Sequence, residues 1–435
     1  MWRNNMKYVN YNKNITLYGE YDVVVLGGGS AGVCAGIAAA RQGMKVLLVE
    51  SMPALGGMAT SGKVGPFMTN YDRDGNEQTV GGIFMEIVER LEKYNGAISP
   101  EEVPSVSIYT SFIDKYHKHV TPFDSFYLEI VLDEMVREAG VEVLCYTQFA
   151  DCITEDGVIK SAILSSPEGM LAVSAKIFID CTGNASVAEK AGVPTYKGDE
   201  ERGIPQPGTL MFEVGGVDDE KYNQFASRPE RPVKAYRTPV EGRYKVNHYH
   251  VYNVDATNAK SLTDAHSEAR HQVLEAYAVL RDKTPGFENA EILSVAPVLG
   301  IRESRHIEGE YKITIEDVSK GTKFDDRIAV YGFGMDVHNR SAEEFGNFKI
   351  EVAQKYYIPY RSLLPLKCYN LLVAGKTLSC MSQAVGGMRC MPAAMAMGQA
   401  AGIASAMAVQ GEYTLRDVNI NALQEELQKQ GAIID

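Results

Sequence analysis

The thirty residues from Tyr21 to Glu50, YDVVVLGGGSAGVCAGIAAARQGMKVLLVE, constrain the fold more than any other stretch of the chain. Val23 to Leu26 is an apolar run of the kind that forms a parallel strand buried on both faces. Gly27, Gly29 and Gly32 follow at GxGxxG spacing, where such a strand turns sharply into a helix. Gly27 permits the turn, Gly29 lets the backbone approach a pyrophosphate with no Cβ in the way, and Gly32 lets the helix pack closely on the sheet. The amides at the helix start, around Ser30 and Ala31, then point at phosphates, each such charge interaction being worth roughly 0.3 to 1 kcal/mol. Small residues continue to Ala40, Gly43 stops the helix, and Val46 to Val49 form a second buried strand. Glu50 ends that strand eighteen residues past Gly32, where a carboxylate accepts hydrogen bonds from a ribose. Its charge disfavours a 2′-phosphate and argues against NADP. The unit therefore reads as a holder for the ADP half of a dinucleotide.

A second glycine-rich segment, SMPALGGMATSGKVGP, follows at once and places Ser51, the Gly56-Gly57 doublet and Met58 beside Glu50. An NAD-binding domain has no use for it. Further on, Ile177 to Gly183 (IFIDCTG) reads as a strand ending in Cys181, Thr182 and Gly183. Asn370 to Ala408 carries a strand, Gly375, Arg389 and a helix of small residues that starts at Met391, Pro392, Ala393 and Ala394. These blocks resemble the FAD-binding fold of the glutathione-reductase and fumarate-reductase flavoproteins. Together with GIRESRHIEGEY (Gly300 to Tyr311) and YIPYRSLLP (Tyr357 to Pro365), they resemble one family of FAD-dependent oxidoreductases from about Tyr21 to the end.

The resemblance implies an α/β protein, with a doubly wound, Rossmann-like FAD-binding domain and an inserted mixed α+β second domain. It implies that the second glycine segment passes the cofactor's ribose and pyrophosphate, that Cys181 to Gly183 recross it, and that Gln148, Phe149 and Ala150 offer backbone groups to adenine. It also implies that the helix start at Met391 to Ala394 faces N1 and O2 of the isoalloxazine. Prealigned amides there favour the reduced flavin. No histidine lies near Gly56-Gly57, so the FAD is expected to be noncovalent. Val385 stands where some relatives carry His or Leu, and no acid–base role is carried over to that loop.

The FAD domain is expected to be discontinuous, from residues 20–66, 123–199 and 366–411. Residues 67–122 are expected to form a helical and loop cap, 200–365 the substrate domain, and 412–435 a C-terminal helical tail. Apolar spacing predicts helices over 82–95, 123–139 and 265–281, and Asp156-Gly157 predicts a hairpin.

A net charge of −13 opposes a nucleic-acid partner. No run of about twenty apolar residues is evident, and residues 1–20 lack the apolar core of a signal peptide, so a cytoplasmic protein without a membrane span is expected. Seven cysteines with no CxxC pair suit a reducing compartment and argue against a metal site. The disulfide-reductase CxxxxC is missing after Glu50, and there is no second GxGxxG unit. Electrons are therefore expected to pass directly to or from a small-molecule substrate, or to a donor or acceptor that docks transiently. Many relatives of this fold dimerise, but no heptad run marks an interface.

The candidates for chemistry are Arg302, Glu303, Arg305, His306, His338, Arg361 and Arg389. Arg302 and Arg305 suit a carboxylate or sugar hydroxyls, Glu303 and His306 an acid–base role, and Arg389 the flavin or an anionic substrate. On a strand, Arg302 and His306 would share one face, and Glu303 and Arg305 the other. Five methionines from Met381 to Met397 are expected to pack a core rather than line a pocket. The expected function is hydride exchange between FAD and a small polar organic substrate. A non-redox isomerase or lyase that uses FAD, and a binding protein that keeps the fold without chemistry, fit the same residues.

Overall fold

The computed structural model describes residue 9 and residues 12–113, 117–225, 233–341, 343 and 350–435. Half of the first twenty residues, read above for targeting, therefore lie outside it, as do small parts of the expected cap and second domain. Strand β1 (Thr16–Leu26), helix α1 (Ser30–Arg41) and strand β2 (Val46–Val49) form as the glycine spacing requires, with Val23 opposite Val46 and Leu26 opposite Val49 in parallel. Helices α2 (Ile83–Lys93) and α3 (Ser125–Ala139) follow. Asp124 caps α3 by accepting from the Phe126 and Tyr127 amides, and Gly140 ends it in the left-handed region. Strand β3 (Glu142–Leu144) adds beside β2 in parallel. Strands β4 (Gln148–Glu155), β5 (Val158–Ser166) and β6 (Gly169–Asp180) then form an antiparallel meander. Asp156 and Gly157 both take positive φ, 48° and 76°, as the predicted two-residue hairpin demands.

Beyond α4 (Ser186–Lys190) and β7 (Thr195–Lys197) the chain leaves this sheet. Strand β8 (Phe212–Gly215), helix α5 (Asp219–Gln224), strands β9 (Ala235–Arg237) and β10 (Tyr244–Val246), helix α6 (Ala259–Lys283) and strand β11 (Glu291–Val295) build a second, antiparallel sheet in the order β11-β8-β10-β9. Strand β12 (Arg305–Ile307) returns to pair with β7, helix α7 (Ile315–Lys320) follows, and β13 (Arg327–Tyr331) pairs with β14 (Tyr356–Pro359). Strand β15 (Leu371–Val373) then joins β6 in parallel, and α8 (Val385–Met388), α9 (Met391–Gly411) and α10 (Ile420–Lys429) complete the chain. Strand β6 is forked: its first half pairs with β5 and its last three residues with β15.

The expected substrate domain divides. Residues from β8 to β11 enclose their own core around Phe212, Tyr222, Tyr244 and Phe287. The stretch from Ile313 to Leu364 instead packs into the main core with α1 and α9, through Ile328, Tyr331, Tyr356 and Ile358. Strands β13 and β14 are too short to stand as a sheet alone, and burying their apolar face on α9 is the solution open to them. The tail also belongs to this core, since α10 buries Leu423 and Leu427 there. A buried charge network docks the smaller sheet: Lys63, Arg243 and Ser294 donate to Glu213, and Arg243 also bonds Asp124. Lys245 donates to Ser125 with its ammonium over the Phe123 ring.

One sequence expectation needs correction. Helix α9 is long and apolar enough to cross a bilayer, although no such run was read from the sequence, and 83% of its most apolar window is buried inside the protein. It is apolar all round because it is surrounded, as a central core helix must be. Helix α1 crosses it at backbone contact: a Cβ at Gly398 would lie 2.0 Å from the Ala31 carbonyl oxygen, and one at Gly402 2.3 Å from that of Ala35. Gly402→Leu is expected to cost at least about 3 kcal/mol, the top of the ordinary overpacking range, because backbone cannot yield as a side chain can. Leu274→Ala, at a 60% exposed position of α6, should leave stability within about 0.5 kcal/mol. Thermal midpoints of the two variants and the parent check both; equal midpoints for Gly402→Leu and the parent would contradict the packing account.

Candidate nucleotide and substrate site

The turn after β1 shows why its glycines stand where they do. A Cβ on Gly27 would lie 2.4 Å from the Cys181 oxygen and one on Gly32 1.8 Å from the Gly27 oxygen, whereas one on Gly29 would meet nothing within 4 Å. Gly27 and Gly32 close the turn, and Gly29 faces open space at the start of α1, where Ser30 and Ala31 follow. The Glu50 carboxylate, nearly buried, accepts from the Gly28 amide at 2.7 Å with one oxygen and from Ser51 Oγ and the Met52 amide with the other. The second glycine segment lies against the first: the Gly56 amide donates to the Gly28 carbonyl, and a Cβ on Gly57 would be 2.9 Å from Gly29 Cα, with Met58 next in the same turn. The opening of β4, Gln148 to Ala150, follows Thr147, whose amide donates to the Glu50 carbonyl.

On the other side, the Cys181 amide donates to the Leu26 carbonyl, so Cys181, Thr182 and Gly183 cross the end of β1. Asp180, fully buried at the end of β6, holds that turn by accepting from Thr182 N and Oγ1 and from the Val187 and Ala188 amides. Gly375, in the left-handed region at φ 99°, abuts Ala31. Lys376 follows, its Nζ bonded to the Ile301 carbonyl at 2.6 Å and its Cε near Gly183. Burial and the charge of Arg389 lower this ammonium to about 8. No side chain caps α9, and its first internal bond runs from the Ala394 amide to the Cys390 carbonyl, so the Met391 and Ala393 amides precede the ladder, with Pro392 between them. Glu50, Gly29, Gly57, Gly183, Gly375 and the start of α9 thus form one backbone-lined cradle, which fits an FAD.

The segment before β12 is irregular, and only Arg305–Ile307 is strand, so the alternation expected for it does not hold. Glu303 and His306, predicted on opposite faces, meet at 3.3 Å and are buried together. Glu303 also accepts from Arg340 at 2.9 Å, from the Gln206 amide and from Ser382. Burial opposes its charge, but these partners overcome it and hold the carboxyl down at about 2. Neither residue has surface open to a substrate; they tie loops together. Arg305 bonds the Asn184 carbonyl and pairs with Glu189, and Arg361 pairs with Asp326 at 2.9 Å over the Tyr311 ring. Among the described residues neither bonds Asp336, His338 or Arg389.

Arg302, His338 and Arg389 do come together, with residues the sequence reading passed over. Arg389 Nη2 donates to the Asp336 carboxylate at 2.7 Å and to its carbonyl, and His338 Nε2 lies 3.2 Å from the same carboxylate. The His250 ring is 4.7 Å from that of His338. Arg302 acts electrostatically on both histidines, and His117 senses Asp336. Asp336 lies deep in the protein, yet 49% of its side-chain surface is accessible, so it lines a cleft rather than a core. Burial opposes its ionisation, but His338, Arg389 and Arg302 overcome it and hold the carboxyl well below its ordinary range. Burial and the Arg302 charge in turn lower His338 to about 4, against the pull of Asp336, and burial lowers His250 to about 3 and His117 to about 4. At neutral pH the pair is carboxylate and neutral imidazole. Because the carboxylate only accepts, His338 Nε2 carries the proton and Nδ1 has a free lone pair. The alternating histidines of HYHVY (248–252) were the sequence signal for His250; Asp336 had none beyond its place in MDVHNR.

Residues 22–427 match the family described as FAD dependent oxidoreductase. A digeranylgeranylglycerophospholipid reductase 2 of Methanothermobacter thermautotrophicus is 29% identical over 203 residues, 46% of this chain and 48% of the relative. A 3-oxosteroid 1-dehydrogenase of Mycolicibacterium smegmatis is 35% identical over 99 residues, 22% of this chain and 16% of the relative. The chain thus spans about half of the first relative and a smaller part of the second. The solved structure of BexE, studied for oxidation during BE-7585A biosynthesis, superposes with a TM-score of 0.50 at 15% identity, over 90% of this chain and 63% of that one, and shows the same fold. With its family match running almost end to end over a cradle shaped for the cofactor, the chain belongs to the FAD-dependent oxidoreductase family.

Proposed function

We propose that the protein exchanges hydride between noncovalent FAD and a small polar organic substrate that enters the cleft of Asp336, His338, His250 and Arg302. The observation that carries this is the Asp336–His338 pair, a neutral imidazole oriented by a half-accessible carboxylate. Gly29, Glu50, Ser51, Gly56 to Met58, Thr182, Gly183 and Gly375 would hold the nucleotide part of the cofactor, with Lys376 as a nearby countercharge. The amides at the start of α9 would face its pyrimidine ring. When bound, FAD supplies a two-electron acceptor for a hydride. His338 Nδ1 takes the proton that a substrate hydroxyl or amine loses in that oxidation, and Asp336 holds the ring in the tautomer that can do so. Arg389 is committed to Asp336 and keeps it ionised.

The purified protein, mixed with FAD, should show flavin absorption bands that bleach anaerobically with one of four pools: sugars, hydroxy acids, amines or NADH. Bands that no pool bleaches, with turnover in the absence of any electron acceptor, would favour the non-redox use of FAD. Glu50→Ala should weaken FAD binding by about tenfold or more, since one buried charge-assisted bond is worth about 1.5–3 kcal/mol, as read from flavin fluorescence on titration. His338→Gln should keep the flavin spectrum and lower turnover of the bleaching substrate by about 10²–10⁴-fold; undiminished turnover would remove His338 from the chemistry.

The lowered histidines also set an acid limit. His117, His250 and His338 have folded values of about 4, 3 and 4, below the unfolded value of 6.5, so the unfolded chain binds protons first as pH falls. Their contribution to stability is complete above pH 6.5 and is lost progressively toward pH 3. The thermal midpoint should fall over that window, and His250→Asn should flatten the fall; an unchanged pH profile in the variant would show that His250 is not held neutral.

A further inference from the structure

The cleft holds more positive than negative charge. Asp336 is already engaged by Arg389 and His338, yet Arg302 faces the same space, and the exposed Lys234 acts on His117 and His250 from nearby. Arg302 uses Nη1 alone, on the Pro207 carbonyl at 2.9 Å and Thr209 Oγ1 at 2.8 Å, both neutral acceptors. Among the described residues its Nε and Nη2 donate to nothing, and they are not among the buried unpaired atoms, so that edge of the guanidinium is open to the cleft. Two further donors at the same place lack partners and are buried: Arg389 Nε and Gln206 Nε2, the latter on a side chain whose Oε1 accepts from the His338 amide.

A guanidinium sunk in a protein is normally paired with a carboxylate, because an uncompensated charge away from water is costly. Arg302 has instead been placed with its bidentate edge unpaired, while Thr209 and Pro207 fix the plane of the group from behind. Two parallel N–H donors in a fixed fork match the two oxygens of a carboxylate in spacing and charge, and a sugar hydroxyl or an amine matches neither. Pro207, which accepts from Arg302, adjoins Gln206, whose Oε1 accepts from the His338 amide, so a group held on this edge lies in the neighbourhood of the imidazole, where the Arg302 charge is also felt. From this geometry we propose that the substrate carries a carboxylate, bound through the Nε–Nη2 edge of Arg302, with its reacting carbon presented to His338. The assignment rests on the reading above that the cleft is where substrate meets flavin. It makes Arg302 the residue that selects organic acids over their neutral analogues, and Thr209 its positioning residue.

The test uses the FAD-loaded protein and two inert acids, pyruvate and benzoate, each against its primary amide. Anaerobic titration is followed by the difference spectrum of the flavin bands. Both acids should perturb the bands saturably, and the amides should bind at least about tenfold more weakly. Arg302→Gln should raise the dissociation constants of the acids by about tenfold or more and abolish the preference over amides. Arg302→Lys, which keeps the charge but not the fork, should restore part of the affinity. Acids and amides that bind alike, or acids that bind Arg302→Gln as tightly as the parent, would overturn the proposal. So would an Arg302→Gln variant in which FAD affinity and flavin potential change while the acid preference stays, since Arg302 would then serve the flavin. Absence of flavin bands in the parent protein would instead overturn the functional reading on which the proposal stands.

Discussion

Backbone contact between α1 and α9 is the constraint on which the site depends. The two helices run parallel, with Ala31 beside Gly398 and Ala35 beside Gly402, so both N-terminal ends point toward the same edge of the large sheet, that of α9 about two turns beyond that of α1. They can share that edge because Gly398 and Gly402 carry no Cβ where Ala31 and Ala35 pass. A larger residue would separate the axes and move one helix start away from the other. Gly27 and Gly57 have the same effect in the turns, letting Cys181 and Gly29 approach to distances that a side chain would forbid. The cradle is thus a set of places where side chains have been removed so that backbone dipoles face one volume.

Two charged clusters a few residues apart in sequence illustrate how burial divides structural from chemical roles. Glu303 is surrounded by His306, Arg340, Ser382 and the Gln206 amide, so each of its oxygens is satisfied from within. That network ties the β12 segment to the loops around Arg340 and Ser382. Arg302, the next residue back, turns the opposite way and leaves an edge unpaired. Asp336 and His338 share this open character: one is charged and half accessible, the other neutral at physiological pH. Burial without satisfaction is costly, and the unpartnered Arg389 Nε and Gln206 Nε2 beside this open edge carry that cost.

The strand, turn and helix geometry around Gly27 to Glu50 was legible because it is local. Strand, glycines, helix and terminal carboxylate lie within thirty consecutive residues, and the requirement for a missing Cβ leaves a trace in composition. The Asp156-Gly157 hairpin and the buried methionines of α9 were accessible for the same reason. The substrate side was not. His250, Asp336 and His117 come from three separate loops, and only packing of the smaller sheet against the main body brings them to Arg302. The alternation argument for residues 300–311 failed because that segment is mostly not strand, so Glu303 and His306 lie together instead of apart.

Sequence alone indicated the family and its two-electron cofactor and placed the glycine turns and the carboxylate after β2, since these rest on short-range patterns of glycine, apolar run and carboxylate. Tertiary structure decided which polar residues face solvent-filled space. It tied Glu303, His306, Arg305 and Arg361 into ion pairs, Arg361 at the surface, and brought Arg302, His338 and Arg389 together with Asp336 and His250. It also placed residues 313–364 in the main core, against the expectation of a separate domain. The division follows from range: a missing Cβ or a β-turn is encoded by the residues that form it, whereas the direction of a charged side chain is settled by whichever distant segment satisfies it first.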